Sequence, residues 1–112
     1  MKQSEIWLTD LDPTKRAEIQ KKRPVIILSD DRLGKLPLKV IVPLTDWKTH
    51  YNIAPWMVKI EPHKNNGLSK TSAADCFQIR SLSQERLIKK LGHIDNEMLI
   101  DIKDALKKVL SI

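Results

Sequence analysis

Short apolar runs, each closed by a proline or a polar turn, fill this chain up to residue 94, and only then does a long amphipathic stripe begin. Runs of that length and β-branched content are too short for stable helices and must pair with one another. "EIWLTDL" (5–11) nearly alternates apolar and polar residues, as a half-buried strand does. "DPTK" (12–15) supplies a turn, with Pro13 setting φ. "RPVIILS" (23–29) predicts a buried strand, and "DDRLGKLP" (30–37) is turn-rich. "KVIVPLT" (39–45) is a second β-branched run interrupted by Pro43. Proline cannot donate to a central ladder, so this strand is expected at a sheet edge or ending at a bulge. "PWMVKIEP" (55–62) is a strand between prolines, and "HKNNGLSKT" (63–71) is a polar loop turning at Asn66–Gly67. "SAADCFQIRSL" (72–82) predicts one strand, and "QERLIKKLGHI" (84–94) a short helical turn followed by another.

The stripe over residues 95–110 is formed by Met98, Leu99, Ile102, Ala105, Leu106, Val109 and Leu110, which fall on one face at helical spacing. Asp95 or Asn96 can cap its start. Glu97 lies in the first turn and Lys107 and Lys108 in the last, so both ends complement the helix dipole. The expected fold is mainly β with a C-terminal helix: five to seven short strands in a small barrel or sandwich, with the helix closing an open end.

At 112 residues the chain has the size of one domain (1–112) and enough length to bury a core. A single cysteine, Cys76, permits no internal disulfide, so a reducing cytoplasm is the expected compartment. The N-terminus lacks the apolar core and cleavage site of a secretory signal, and no run is long enough to span a bilayer. The net charge of +6 favours a polyanionic partner, nucleic acid first, although good solubility alone also accounts for it.

Several chemistries have no foundation here. There is no phosphate-binding glycine loop and no dinucleotide fingerprint. His50, His63 and His93 are far apart and one thiol makes no cluster, so no metal site and no cofactor are expected. Cys76 is expected as a buried, inert thiol. The remaining candidates stand beside strand ends. Arg23 offers a planar guanidinium for two parallel bonds to phosphate, and Pro24 keeps its backbone extended. Thr45 ends an apolar run, where its hydroxyl either donates to a phosphate oxygen or caps the turn with Asp46. Trp47 either stacks on a base or packs on the barrel. Glu18 is the one carboxylate among the loop cations Lys15, Arg16, Lys21, Lys22 and Arg23. It either accepts a proton or bonds a base edge, or it tethers the loop.

"EIWLTDLDPTKRAEIQKKRPVIIL" (5–28) resembles the N-terminal signature of the MazF/PemK (Kid) toxins of bacterial toxin–antitoxin systems. "VIVPLT" is similar to that family's second strand, and "CFQIRSLSQERLIKKLGHI" (76–94) to its later segment. The ordered set covers nearly the whole chain. The resemblance implies an SH3-like small β-barrel, usually a homodimer, that cleaves single-stranded RNA without a metal. The 2′-hydroxyl attacks the adjacent phosphate, leaving a 2′,3′-cyclic phosphate and a 5′-hydroxyl. It implies catalytic parts for Arg23, Thr45 and Glu18, and neutralisation by a cognate antitoxin with an acidic or apolar segment. Beside these, RNA contacts are expected from Lys15, Arg16, Lys21, Lys22, Trp47, Gln78 and Arg80. Arg80 either contacts RNA or braces the core. The family's loop usually has glycine where this chain has Arg16, and a small polar residue where it has Ala17. A positive φ there would strain Arg16. Two other readings of the same barrel are a nucleic-acid-binding module that does not cut, and a toxin directed at a protein such as DNA gyrase.

Overall fold

A computed structural model describes residues 1–112. The β-branched runs form seven antiparallel strands: β1 (Glu5–Asp10), β2 (Lys22–Ile27), β3 (Leu38–Asp46), β4 (Met57–Ile60), β5 (Ser72–Asp75), β6 (Arg80–Ser83) and β7 (Leu87–His93). One helix, α1 (Asn96–Leu110), follows. The sheet runs β4-β5-β3-β2-β1-β7, with β6 also pairing with β3.

Strand alternation sends side chains to two cores. On one side Val25, Ile27, Ile41, Leu82 and Leu87 meet Leu11, so β1, β2, β3, β6 and β7 enclose the barrel interior. On the other, Ile6, Ile26, Val42 and Leu44 meet Ile60, Ala74 and Cys76 with Leu99, Ile102 and Ala105 of the helix. The helix therefore packs against the outside of the barrel together with β4 and β5. Asp95 caps it, its carboxylate accepting from the Met98 N–H at 2.8 Å. Of the predicted stripe only Leu110 departs, being 51% exposed in the last turn. Fully burying Ile102 contributes about 1.5–3 kcal/mol.

Two strand assignments need correction. β3 is central, not an edge: it pairs with β2 on one side and with β6 and then β5 on the other. Proline is tolerated because Pro43 stands where β3 changes partner. Ile41 pairs with Arg80 of β6 and Leu44 with Ala74 of β5, so residues 42 and 43 have no rung on that side. The Leu28 N–H donates to the Val40 carbonyl, so ladder alternation turns the Pro43 nitrogen away from β2 and into this gap. The same gap divides the strand expected over 72–82. Five residues lie between Ala74 and Arg80, whereas two lie between Ile41 and Leu44. The surplus is taken up by a 3-10 turn, Cys76–Gln78, between β5 and β6.

Candidate nucleic-acid interface

Arg23 and Thr45 are brought together by register. Val25 pairs with Pro43, and one alternation further along both strands places Arg23 opposite Thr45 on the same face. Both line a groove of about 320 Å³ whose far side carries Gly67, Ser69 and Lys70. Neither the Arg23 guanidinium nor the Thr45 hydroxyl has a hydrogen-bond or ion-pair partner within the chain, and both are partly exposed. Thr45 thus caps nothing. It sits inside β3 opposite Ala73 and presents a free hydroxyl. One carboxylate, Asp46, also lines the groove, with Lys70 4.0 Å from it offsetting its charge.

The far wall is held by close backbone packing. Asn66 is buried; its side-chain oxygen accepts from the His63 and Leu68 N–H groups at 3.0 Å, and its amide nitrogen donates to the Glu61 carbonyl at 2.9 Å. The loop lies so near β7 that a Cβ on Gly67 would come 2.2 Å from the Leu91 carbonyl oxygen, at a φ of +68°. A Cβ on Gly92 would likewise come 2.3 Å from the Asn65 oxygen. Ser69, Lys70 and Ser72 were absent from the sequence candidates. They carry no local signature: folding of the 61–71 loop over β3 brings Ser69 and Lys70 to the groove, and pairing of β5 with β3 at Asp46 brings Ser72.

Glu18 lies elsewhere, lining a second cavity of about 390 Å³ with Pro43, Phe77, Gln78 and Arg80. Pro43 precedes Thr45 by two residues on the same face of β3, so the cavities are neighbours about 7 Å apart along the strand. The Glu18 loop is tightly tied. The Glu18 N–H donates to the Lys15 carbonyl, and the Lys15 N–H returns a bond to Glu18 Oε1, closing a turn around Arg16 and Ala17. Arg16 has a φ of +47° and Lys21 one of +69°, so a non-glycine residue does occupy the left-handed region at the position in question. Gln78 Oε1 accepts from the Ile19 N–H at 2.6 Å, and its Nε2 donates to the Ala17 carbonyl at 3.2 Å and to Asp75 Oδ2 at 3.1 Å. Arg80 donates to the Leu11 carbonyl at 3.5 Å, and Arg86 to the carbonyls of Asp10 and Asp12. Arg80 therefore braces the loop base, and the Gln78 amide spends its polar atoms inside the protein.

Lys15, Arg16, Lys21 and Lys22 are exposed and make no ion pair. Trp47 is not in the groove. Its ring meets Tyr51 edge-on at 5.7 Å, and the Lys59 ammonium lies 5.3 Å from its centroid. The exposed aromatic beside the Glu18 cavity is instead Phe77, 65% exposed and edge-on to Trp56. Cys76 is buried; desolvation and the neighbouring Asp75 charge push its thiol up to about 12, so it is no nucleophile. Burial also raises the Asp75 carboxyl, against the lowering effect of the Phe77 N–H and the Gln78 amide. No three His, Cys, Asp or Glu side chains gather as a metal site.

The class is a small antiparallel β-barrel with one C-terminal helix, carrying an unpaired guanidinium and hydroxyl on adjacent strands beside a cationic loop. More particularly, the chain belongs to the PemK-like, MazF-like toxins of type II toxin–antitoxin systems, whose family pattern it matches over residues 2–110. It is 31% identical to endoribonuclease MazF9 of Mycobacterium tuberculosis over 100% of this chain and 98% of that protein. It is 30% identical to endoribonuclease MazF of Staphylococcus saprophyticus over 95% of this chain and 88% of that one. The fold is similar to the crystal structure of MazF from Deinococcus radiodurans, with a TM-score of 0.83 at 21% identity, covering 100% and 97% of the two chains. It is also similar to a mycobacterial endoribonuclease solved with its cognate antitoxin, with a TM-score of 0.77 at 19% identity over 100% and 96%.

Proposed function

We propose that this chain is the endoribonuclease toxin of a type II toxin–antitoxin pair, cutting single-stranded RNA within a short sequence and so inhibiting translation. The observation that carries this reading is the unpaired Arg23 and Thr45 side chains facing one groove from opposing strands. In the reaction the 2′-oxygen forms a bond to phosphorus as the bond to the 5′-oxygen breaks, leaving a 2′,3′-cyclic phosphate and a 5′-hydroxyl. The RNA supplies the nucleophile, so the protein need only orient the phosphate and stabilise its oxygens. Arg23 and Thr45 donate to those oxygens, each fixed donor contributing roughly 3–4 kcal/mol to lowering the barrier. The proton from the 2′-hydroxyl needs an acceptor, and the departing 5′-oxygen takes up a proton from water. Arginine holds its own proton too strongly for that part. Glu18 is assigned it: its Oε1 is bound to the Lys15 N–H, which leaves Oε2 free. The step as written uses no metal and no cofactor.

The exposed cations Lys15, Arg16, Lys21 and Lys22 attract the RNA backbone and, in its absence, an acidic antitoxin segment. Solved relatives in complex with a cognate antitoxin support that partner class. We assign residues 1–112 to one toxin unit acting in the cytoplasm as a homodimer. No helix is long and apolar enough to cross a membrane.

The test is incubation of a long single-stranded RNA with the protein in EDTA, beside Arg23→Ala, with the ends mapped. Discrete cuts bearing 2′,3′-cyclic phosphate, reduced about 10²–10³-fold in the variant, are expected. Retained cutting in a folded Arg23→Ala protein overturns the assignment. Retarded RNA with no new ends identifies a binding module instead.

A further inference from the structure

Asp75 is buried, 6% exposed, and no cation pairs with it. A carboxylate in such a place is costly unless its oxygens are used. Both are. Oδ1 accepts from the Phe77 N–H at 3.1 Å and starts the 3-10 turn, and Oδ2 accepts from Gln78 Nε2 at 3.1 Å. The second contact favours one orientation of the Gln78 amide, the one that the Ala17 carbonyl and the Ile19 N–H also require.

A glutamine amide has an oxygen that accepts and a nitrogen that donates two hydrogens. Here one hydrogen goes to Asp75 and the other to the Ala17 carbonyl, while the oxygen receives the Ile19 N–H. Rotating the amide by half a turn would set oxygen against a carboxylate and a carbonyl, and an NH2 group against an N–H. All three contacts would fail together. Because an ionised carboxylate can only accept, Asp75 admits one orientation. That orientation grips residues 17 and 19, the two neighbours of Glu18.

We infer that Asp75 is a positioning residue of the catalytic loop, acting through Gln78 to hold Glu18 in place. This rests on the reading of Glu18 as part of the RNA-cleaving site. The grip itself is a property of the free protein and is measurable without RNA. Sequence patterns give no hint of it, because Asp75 and Glu18 are distant in the chain and meet only through the turn between β5 and β6.

Asp75→Ala is the discriminating variant. It removes both acceptors at once, so the Phe77 N–H and the Gln78 amide lose Asp75 together. Amide hydrogen exchange at Ile19 is expected to quicken about tenfold, the loss of roughly one hydrogen bond, while amides of β1 and β2 keep their protection. On RNA, kcat is expected to fall about tenfold or more with KM within about twofold, because a displaced catalytic group costs rate rather than binding. In a Gln78→Met background Asp75→Ala is expected to add nothing further at Ile19, because Asp75 acts through that amide. Ile19 exchange unchanged in Asp75→Ala overturns the inference. So does exchange that quickens equally across the barrel, which would mark a merely structural role, or a further quickening at Ile19 when Asp75→Ala is added to Gln78→Met. If wild-type protein cuts no RNA, the functional reading fails while the exchange experiment still decides the relay.

Discussion

The two neighbouring cavities are built in opposite ways. In the Arg23–Thr45 groove these two side chains stand on adjacent strands of a central ladder and are bound to nothing. In the Glu18 cavity the polar groups are mostly engaged, through the Lys15–Glu18 turn, the Gln78 amide and the Arg80 guanidinium. The sheet supplies rigidity without using side chains, because backbone hydrogen bonds fix where Arg23 and Thr45 stand. The loop has no ladder, so side chains must do the fixing. Free donors on a rigid frame suit a phosphate whose charge grows during reaction. A tied loop suits a carboxylate that must be delivered to one place.

The sharpest test of this contrast is Thr45→Val, which removes one hydroxyl at nearly constant volume. Cleavage is expected to fall about 10²-fold while the melting temperature stays close to wild type, since the hydroxyl bonds no residue of the chain. A large loss of stability would show that the groove side chain is structural after all. The groove wall should behave differently. Gly67→Ala places a Cβ 2.2 Å from the Leu91 carbonyl oxygen in a left-handed backbone, and is expected to cost at least about 2 kcal/mol in denaturant unfolding.

Acid gives a third comparison. At the far end of β1, burial would raise the Glu5 carboxyl, but the Lys2 N–H, the Trp7 indole N–H and Lys90 outweigh it and hold it at about 2, down from 4.5. A depressed carboxyl contributes stability that is present above its unfolded value and is lost as pH falls towards 2. Glu5→Gln is expected to cost about 1–2 kcal/mol from pH 7 to pH 5, with the gap to wild type closing below pH 4. A gap that closes above pH 5 would show that the Glu5 carboxyl is not held below its ordinary value.

The smallest expected effect is on the loop itself. Arg16→Gly relieves a φ of +47° and should raise stability by about 0.5–1 kcal/mol. If Arg16 also touches an RNA phosphate, the slope of log affinity against log salt becomes shallower by about 0.7. An unchanged slope leaves Arg16 as a strained turn residue alone.

Local pattern was enough for much of this protein. The β-branched runs, the Asn66–Gly67 turn, the helix with its Asp95 cap and the inert Cys76 depend on neighbours in sequence, so they could be read from the chain. The same holds for Arg23 as an extended residue before Pro24 and for the cationic loop around Glu18. What tertiary structure decided was partnership. Pro43 sits in a central strand because β3 changes neighbours there, and that same gap splits residues 72–82 around a turn. Trp47 packs with Tyr51 and Lys59, Gln78 turns inward to hold the loop, and Ser69 and Lys70 reach the groove from a distant segment. The physical reason is common to all of these. Ladder register and hydrogen-bond pairing join residues that are remote in the chain, and no periodicity or spacing along one strand records which partner lies across from it.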